Sequence, residues 1–132
     1  MKKGTLRNQK GFTLIEIIAV LVILGILAAV AIPRYLDLME ESRKKAIEGA
    51  FAAGASQLAM AYSQDVLKGS ATDSSWTLTG GDDVTLGEFT GDLTGACGAR
   101  ASKVVIQDSG SPDWVSDLDD SDKQRTYTIC GS

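Results

Sequence analysis

Hydrophobic and polar positions divide the chain into two parts with different patterns. From Phe12 to Ile32, 18 of 21 residues are apolar, and Glu16 is the only charged one. From Lys68 to Ser132, only 20 of 65 residues are apolar. A helix over the first segment would be about 31 Å long, which matches the roughly 30 Å hydrocarbon core of a bilayer. We therefore predict a membrane-spanning helix followed by an extramembranous domain.

The helical pattern continues beyond Pro33 and becomes amphipathic, and the helix is expected to end near Lys68. Its apolar stripe consists of Leu36, Met39, Ile47, Ala50, Phe51, Gly54, Leu58, Ala61 and Tyr62. Beyond Ser70, turns alternate with short apolar runs, which predicts three or four antiparallel strands within 76–79, 84–89, 103–107 and 126–130. The predicted fold class is α+β, a long N-terminal α-helix packed on a small antiparallel β-sheet.

Composition excludes several kinds of chemistry. The 132-residue chain has no histidine and two cysteines. It therefore cannot supply a Ser-His or Cys-His nucleophile pair or a His-ligated zinc. Two cysteines are also too few for a four-cysteine zinc site or an iron–sulfur cluster. The protein is predicted not to be an enzyme.

Charge is distributed unevenly along the chain. Four cations precede Gly11, and the residues after it sum to −8, although the whole chain has a net charge of −4. By the positive-inside rule, the N-terminus is predicted to be cytoplasmic and the C-terminal domain to lie outside. An acidic domain argues against broad phosphate binding, so DNA binding is not indicated by charge.

The start of the apolar segment has a specific sequence, KGFTLIE at residues 10–16, followed by the unbroken apolar run. This combination resembles the prepilin N-terminus of type IV pilins and of type II secretion pseudopilins. The resemblance implies cleavage between Gly11 and Phe12 by the prepilin peptidase, which also methylates the new amino terminus. It implies three regions: a leader peptide (1–11), a long α-helix (12–68) and an extracytoplasmic β-sheet head (69–132). Within the helix, residues 12–32 would be the transmembrane and filament-core part, and residues 33–68 the amphipathic part.

Glu16 is the candidate residue for subunit pairing. A carboxylate at this depth in a membrane costs several kcal/mol if it has no partner. In filaments of the family the partner is the N-terminal amine of a neighbouring subunit, which here would be that of Phe12. The alternative is that Glu16 reaches back to the cytoplasmic interface.

Gly25 and Pro33 are candidate positions of helix loosening. Proline has no N–H, so a helix through residue 33 leaves the Ala29 carbonyl unpaired, and Gly25 adds a second weakness. Similar pilins have a loosened helix between these positions in their filaments, and we predict the same for residues 25–33. A simple kink at Pro33 is the alternative.

Two cysteines lie in the predicted head. The predicted topology places Cys97 and Cys130 outside the cytoplasm, where disulfides persist. A bridge would close a loop of about 33 residues and contribute about 3–4 kcal/mol on the chain-entropy model. Two unpaired thiols are the alternative. Many type IV pilins have a disulfide-bounded C-terminal loop, and the resemblance implies one here.

An acidic stretch precedes the last predicted strand. Asp117, Asp119, Asp120 and Asp122 are candidate calcium ligands, because clustered carboxylates supply oxygen ligands and major pseudopilins bind calcium in a C-terminal loop. The spacing is not that of an EF-hand, since the glycine at the sixth position and the glutamate at the twelfth are missing. A solvated acidic loop is the alternative, and no resident cofactor is predicted.

The predicted function is that of a structural subunit, the major pilin of a type IV pilus. The subunit would polymerise through its N-terminal helix into an extracellular filament for adhesion, motility or DNA uptake. Expected partners are other copies of the chain, the prepilin peptidase/N-methyltransferase, an inner-membrane assembly platform driven by a cytoplasmic ATPase, and inner-membrane lipid before assembly. The alternatives are a type II secretion pseudopilin and a membrane-anchored periplasmic binding module.

Overall fold

The computed structural model describes residues 11–72, 75–78, 80–97 and 102–130. A long helix, α1, spans Leu14–Leu67, and four strands follow it: β1 (Val84–Leu86), β2 (Phe89–Thr94), β3 (Ser102–Ile106) and β4 (Gln124–Tyr127). A short 3₁₀ helix at Asp113–Asp117 lies between β3 and β4. The α+β fold class is therefore confirmed.

The chain divides into two compact units between Ser42 and Arg43. The described part of the first unit consists of residues 11–13 and the N-terminal part of α1. Its side chains are all exposed, from 84% for Phe12 to 40% for Met39 among the large apolar ones. Leu36, expected on a buried stripe, is exposed as well. Nothing within the described chain covers this apolar surface.

In the second unit, the C-terminal part of α1 packs against the sheet. Five helix residues are buried, and their spacing places them on one stripe: Ile47, Ala50, Phe51, Gly54 and Leu58. They form a single core with inward-facing residues of the strands and of the 3₁₀ helix, among them Leu86, Phe89, Leu93, Val104, Ile106 and Val115. The helix ends before Gly69, which has a φ of +73°, a left-handed conformation that favours glycine.

The sheet is antiparallel throughout, with strand order β1-β2-β3-β4. Buried and partly exposed residues alternate along β3, so Ser102, Val104 and Ile106 face the core while Lys103 and Val105 lie on the outer face. The hairpin between β1 and β2 pairs Leu86 with Phe89.

The strand prediction was wrong in three places. Within 76–79, the described residues contain only an isolated bridge between Thr77 and Ala96. Trp76 is buried there, and its indole N–H donates to Asp65 Oδ2 at 3.0 Å. Two backbone hydrogen bonds flank the bridge without extending it into a ladder, one from the Leu78 N–H to the Gly95 carbonyl and one from the Cys97 N–H to the Trp76 carbonyl. Conversely, β2 was not predicted, because glycine and aspartate in its sequence disfavour strands. At the C-terminus, β4 ends at Tyr127 rather than at residue 130.

Candidate processing and assembly site

The predicted cleavage site lies just before the helix. Gly11, Phe12 and Thr13 precede α1 and are exposed. Among the described residues, apart from its chain neighbour, no heavy atom lies within 4 Å of the position that a Cβ on Gly11 would occupy. A peptide bond in a non-helical, uncovered segment can enter a protease cleft without prior unwinding of a helix. The placement is consistent with the cleavage that the sequence predicts, which stays a prediction.

Thr13 and Glu16 form a reciprocal capping box at the start of α1. The Thr13 backbone N–H and hydroxyl donate to Glu16 Oε2 at 2.7 and 2.8 Å. The Glu16 backbone N–H donates in return to Thr13 Oγ1 at 3.4 Å. Two backbone N–H groups that lack helical partners are satisfied in this way. In the isolated chain, Glu16 therefore accepts hydrogen bonds from its own helix terminus.

The role of Thr13 was not predicted, although its sequence signal was present. Threonine followed three residues later by glutamate, before an apolar run, is the sequence pattern of a capping box. Thr13 orients the carboxylate that was predicted to pair with the Phe12 amine of a neighbour. Whether the Glu16 carboxylate pairs between subunits stays a prediction.

Gly25 and Pro33 both lie inside α1, which is helical without interruption from Leu14 to Leu67 in the isolated chain. No side chain packs on Gly25, since no heavy atom lies within 4 Å of its Cβ position. The predicted loosening of residues 25–33 concerns the assembled filament and stays a prediction.

Comparison with known proteins identifies a known motif at this site. A family model described as the prokaryotic N-terminal methylation motif matches residues 6–32. The chain is 52% identical over 46 residues to the type IV major alpha-pilin of Moraxella bovis, a match that covers 35% of this chain and 29% of the relative. The N-terminal segment of the chain therefore matches the prepilin motif. The resemblance stated from the sequence is thereby confirmed.

Two further relatives match longer parts of the chain. The type IV major fimbrial protein FimA of Dichelobacter nodosus is 45% identical over 78 residues, which is 58% of this chain and 47% of the relative. The type IV narrow pilus major component PilA5 of Thermus thermophilus is 44% identical over 57 residues, 43% of this chain and 49% of the relative. The matches thus span from under a third to about half the length of these curated relatives. No solved structure matches the chain significantly.

The chain has the predicted disulfide between Cys97 and Cys130, with the two Cα atoms 5.7 Å apart. Cys97 follows β2 and Cys130 follows β4, so the bridge joins the chain on both sides of β3. The Cys97 backbone N–H also donates to the Trp76 carbonyl at 2.9 Å. Three separate segments of the head are connected at this point.

The acidic stretch before β4 is exposed to solvent. Asp117, Asp119, Asp120 and Asp122 all have exposed side chains. Among the described residues, no group of three or more acidic or cysteine side chains is placed to hold a metal ion. Calcium binding stays a prediction that rests on the sequence alone.

Proposed function

We propose that this prepilin is the major structural subunit of a type IV pilus. The observation that carries the proposal is an apolar helix, long enough to cross a membrane, whose side chains have no cover within the described chain and which begins at a prepilin motif. A surface of this kind is stable only in lipid or against other apolar helices. A filament core supplies the second environment.

The precursor would be held in the inner membrane by residues 12–32, with its N-terminus in the cytoplasm and its head outside. The prepilin peptidase would cut after Gly11 and methylate the amine of Phe12. The assembly platform and its ATPase would then move the subunit from lipid into the filament. At about 25 cal/mol per Å² of apolar surface, the new contacts must replace lipid almost completely, because the helix would otherwise remain in the membrane.

The capping box supports a specific role for Glu16 in this transfer. In lipid, hydrogen bonds from Thr13 reduce the cost of the Glu16 carboxylate, since a buried polar group costs less when its bonds are made. In the filament, the amine of a neighbouring Phe12 would add a charged partner and set the axial register.

Replacement of Glu16 tests this role. Glu16→Ala should lower the yield of sheared filaments strongly while the amount of membrane-inserted subunit stays unchanged. Asp37→Asn, which removes a carboxylate from the exposed part of the same helix, is the control and should assemble normally. Normal filament yield from Glu16→Ala would contradict the pairing.

Deletion of the gene distinguishes the proposed pilin from the two alternatives. Loss of sheared surface filaments with secretion of exoproteins intact is the expected result. Exoproteins retained in the periplasm with surface filaments intact would indicate a type II secretion pseudopilin instead. A periplasmic binding module would affect neither filaments nor secretion, and would retain Met1.

A further inference from the structure

The outer face of the sheet carries an open cavity beside the disulfide. Its volume is about 620 Å³. Small-molecule pockets typically have volumes of about 300–1,000 Å³. Lys103 lines the cavity together with Thr77, Thr94 and Thr126, and the other described lining residues are small and uncharged. The cavity therefore combines an ammonium group with threonine hydroxyl groups.

Three of these side chains form one row across the sheet. Thr94 of β2 pairs with Lys103 of β3, and Lys103 in turn pairs with Thr126 of β4. Residues directly opposite each other in antiparallel strands point to the same face, with Cβ atoms about 4.5–5.5 Å apart. Because β3 is an inner strand, Lys103 has a threonine on each side. Both hydroxyl groups can therefore hydrogen-bond a ligand that the ammonium group binds.

Lys103 has no counter-charge among the described residues. It is partly buried, and its side chain forms neither an ion pair nor a hydrogen bond with any of them. The two other described cations of the head do have partners. Lys123 Nζ lies 2.9 Å from Asp108 Oδ1, and the Arg125 guanidinium lies 5.0 Å from the centre of the Phe51 ring. A partly buried ammonium group with three free donors favours an anionic ligand.

A carboxylate on the same face of the sheet, that of Asp92, is bonded elsewhere. Asp92 pairs with Val105, two residues from Lys103 along β3, so it lies diagonally from the lysine. Its Oδ1 accepts hydrogen bonds from the Gln107 side-chain amide at 2.7 Å and from the Asp83 backbone N–H at 3.1 Å. Gln107 follows β3 at the end opposite to Lys103. These bonds hold the Asp92 carboxylate away from the cavity, and the ammonium group stays available.

We propose that this cavity binds a small hydroxylated monocarboxylate, about the size of a hexuronic acid. The carboxylate accepts charge-assisted hydrogen bonds from the Lys103 ammonium group, and hydroxyl groups of the ligand pair with Thr77, Thr94 and Thr126. One ammonium group matches one negative charge. Residues 69–132 contain 11 acidic and 4 basic side chains, so the head repels a polyanion such as a nucleic acid or an acidic polysaccharide. The ligand is therefore a small soluble molecule.

Titration of the isotope-labelled full chain in zwitterionic detergent micelles, followed by NMR of the backbone amides, measures this binding. At constant ionic strength, glucuronate should cause saturable shifts at Lys103, Thr94 and Thr126, with a Kd of about 1 mM. Glucose lacks the carboxylate and should bind about tenfold more weakly or less. The absence of saturable shifts at these residues, or equal affinity for glucose, would overturn the proposal. Tighter binding of inorganic phosphate than of glucuronate would contradict the choice of a carboxylate.

Two glutamine variants test the role of the ammonium group. Lys103→Gln removes the charge and should weaken glucuronate binding about ten- to hundredfold, as expected for a lost hydrogen bond to a charged group. Lys68→Gln removes an exposed cation at the end of α1, outside the cavity, and should leave the affinity unchanged. The amide spectrum without ligand shows that each variant is folded. Equal affinities of the two variants would overturn the assignment of Lys103.

Two valine variants test the hydroxyl groups. Thr126→Val removes one hydroxyl group at nearly constant volume and should weaken glucuronate binding about two- to tenfold. Thr85→Val removes a hydroxyl group from the same face outside the cavity and should not change the affinity. Equal affinities of these two variants would contradict the pairing of the ligand with Thr126. Failure of binding would leave the proposed pilin function intact, because that function rests on the N-terminal segment and the cavity lies in the head.

Discussion

Lys123 is a buried cation in an acidic domain, with 10% of its side chain exposed. Asp108, its partner at 2.9 Å, is 55% exposed, so water screens the ion pair on one side. The pair therefore adds little by itself, but its loss would leave a buried ammonium group without a carboxylate. The ion pair matters because it fixes Lys123, whose backbone carbonyl, next to β4, accepts a hydrogen bond from the Ile106 N–H.

Asp108→Asn should destabilise the head by about 1–2 kcal/mol, because the Lys123 ammonium group keeps its burial and loses its counter-charge. Asp120→Asn removes an exposed carboxylate from the same region and should change stability by less than about 0.5 kcal/mol. Denaturant unfolding of the full chain in detergent micelles measures both. Equal stabilities of the two variants would show that the ion pair is dispensable.

At the scale of elements, the contact between α1 and the sheet depends on a small residue. A Cβ on Gly54 would lie 2.7 and 2.9 Å from the two methyl groups of Val104 and 3.2 Å from Leu93 Cδ2. The Val104 side chain is fully buried and has no room to move away. Gly49, five residues earlier in the same helix, has no heavy atom within 4 Å of its Cβ position.

Alanine substitution at the two glycines should therefore have opposite effects. Gly54→Ala should destabilise the head by about 1–3 kcal/mol through overpacking. Gly49→Ala should stabilise it by about 0.5–1 kcal/mol, because alanine has the higher helix propensity and no contact is disturbed. Thermal unfolding followed by circular dichroism compares the variants. A stabilising Gly54→Ala would show that Val104 and Leu93 can move enough to accommodate the added methyl group.

Elements with local signals could be predicted from the sequence, and elements defined by distant contacts could not. The long helix is predictable because its apolar run and its 3.6-residue spacing are both local. The strand β2 lacks such a signal, and its pairing with β3 and the burial of Phe89 and Leu93 hold it extended. The candidate site follows the same division. The motif around Gly11 and Glu16 is contiguous and could be recognised in the sequence. The hydrogen bond between the side chains of Trp76 and Asp65 in the head follows no sequence spacing and could not be predicted.

For the whole molecule, the disulfide compensates for a small core. Replacing both Cys97 and Cys130 with serine should lower the free energy of unfolding by about 3–4 kcal/mol, as expected for a closed loop of this length. Unfolding of the wild-type chain with and without reductant provides the same comparison without substitution. Unchanged stability in both experiments would show that the sheet and α1 suffice to hold the C-terminal segment.

The head and the N-terminal segment differ in where their apolar residues are buried. The head buries its apolar residues internally, while the segment from Phe12 to Met39 leaves its large apolar side chains exposed for an environment outside the chain. Cleavage after Gly11 would remove the four leader cations and leave a mature chain of 121 residues. The amine thus created lies one residue before the capping box that holds Glu16.

The proposed role as major pilin is tested most directly by the mass and N-terminal sequence of this chain in filaments sheared from cells. If the chain is the major pilin, it should start at an N-methylated Phe12, contain the Cys97–Cys130 disulfide and be the most abundant protein of the filament. A chain that retains Met1 and remains in the membrane fraction, with surface filaments built from another protein, would contradict it.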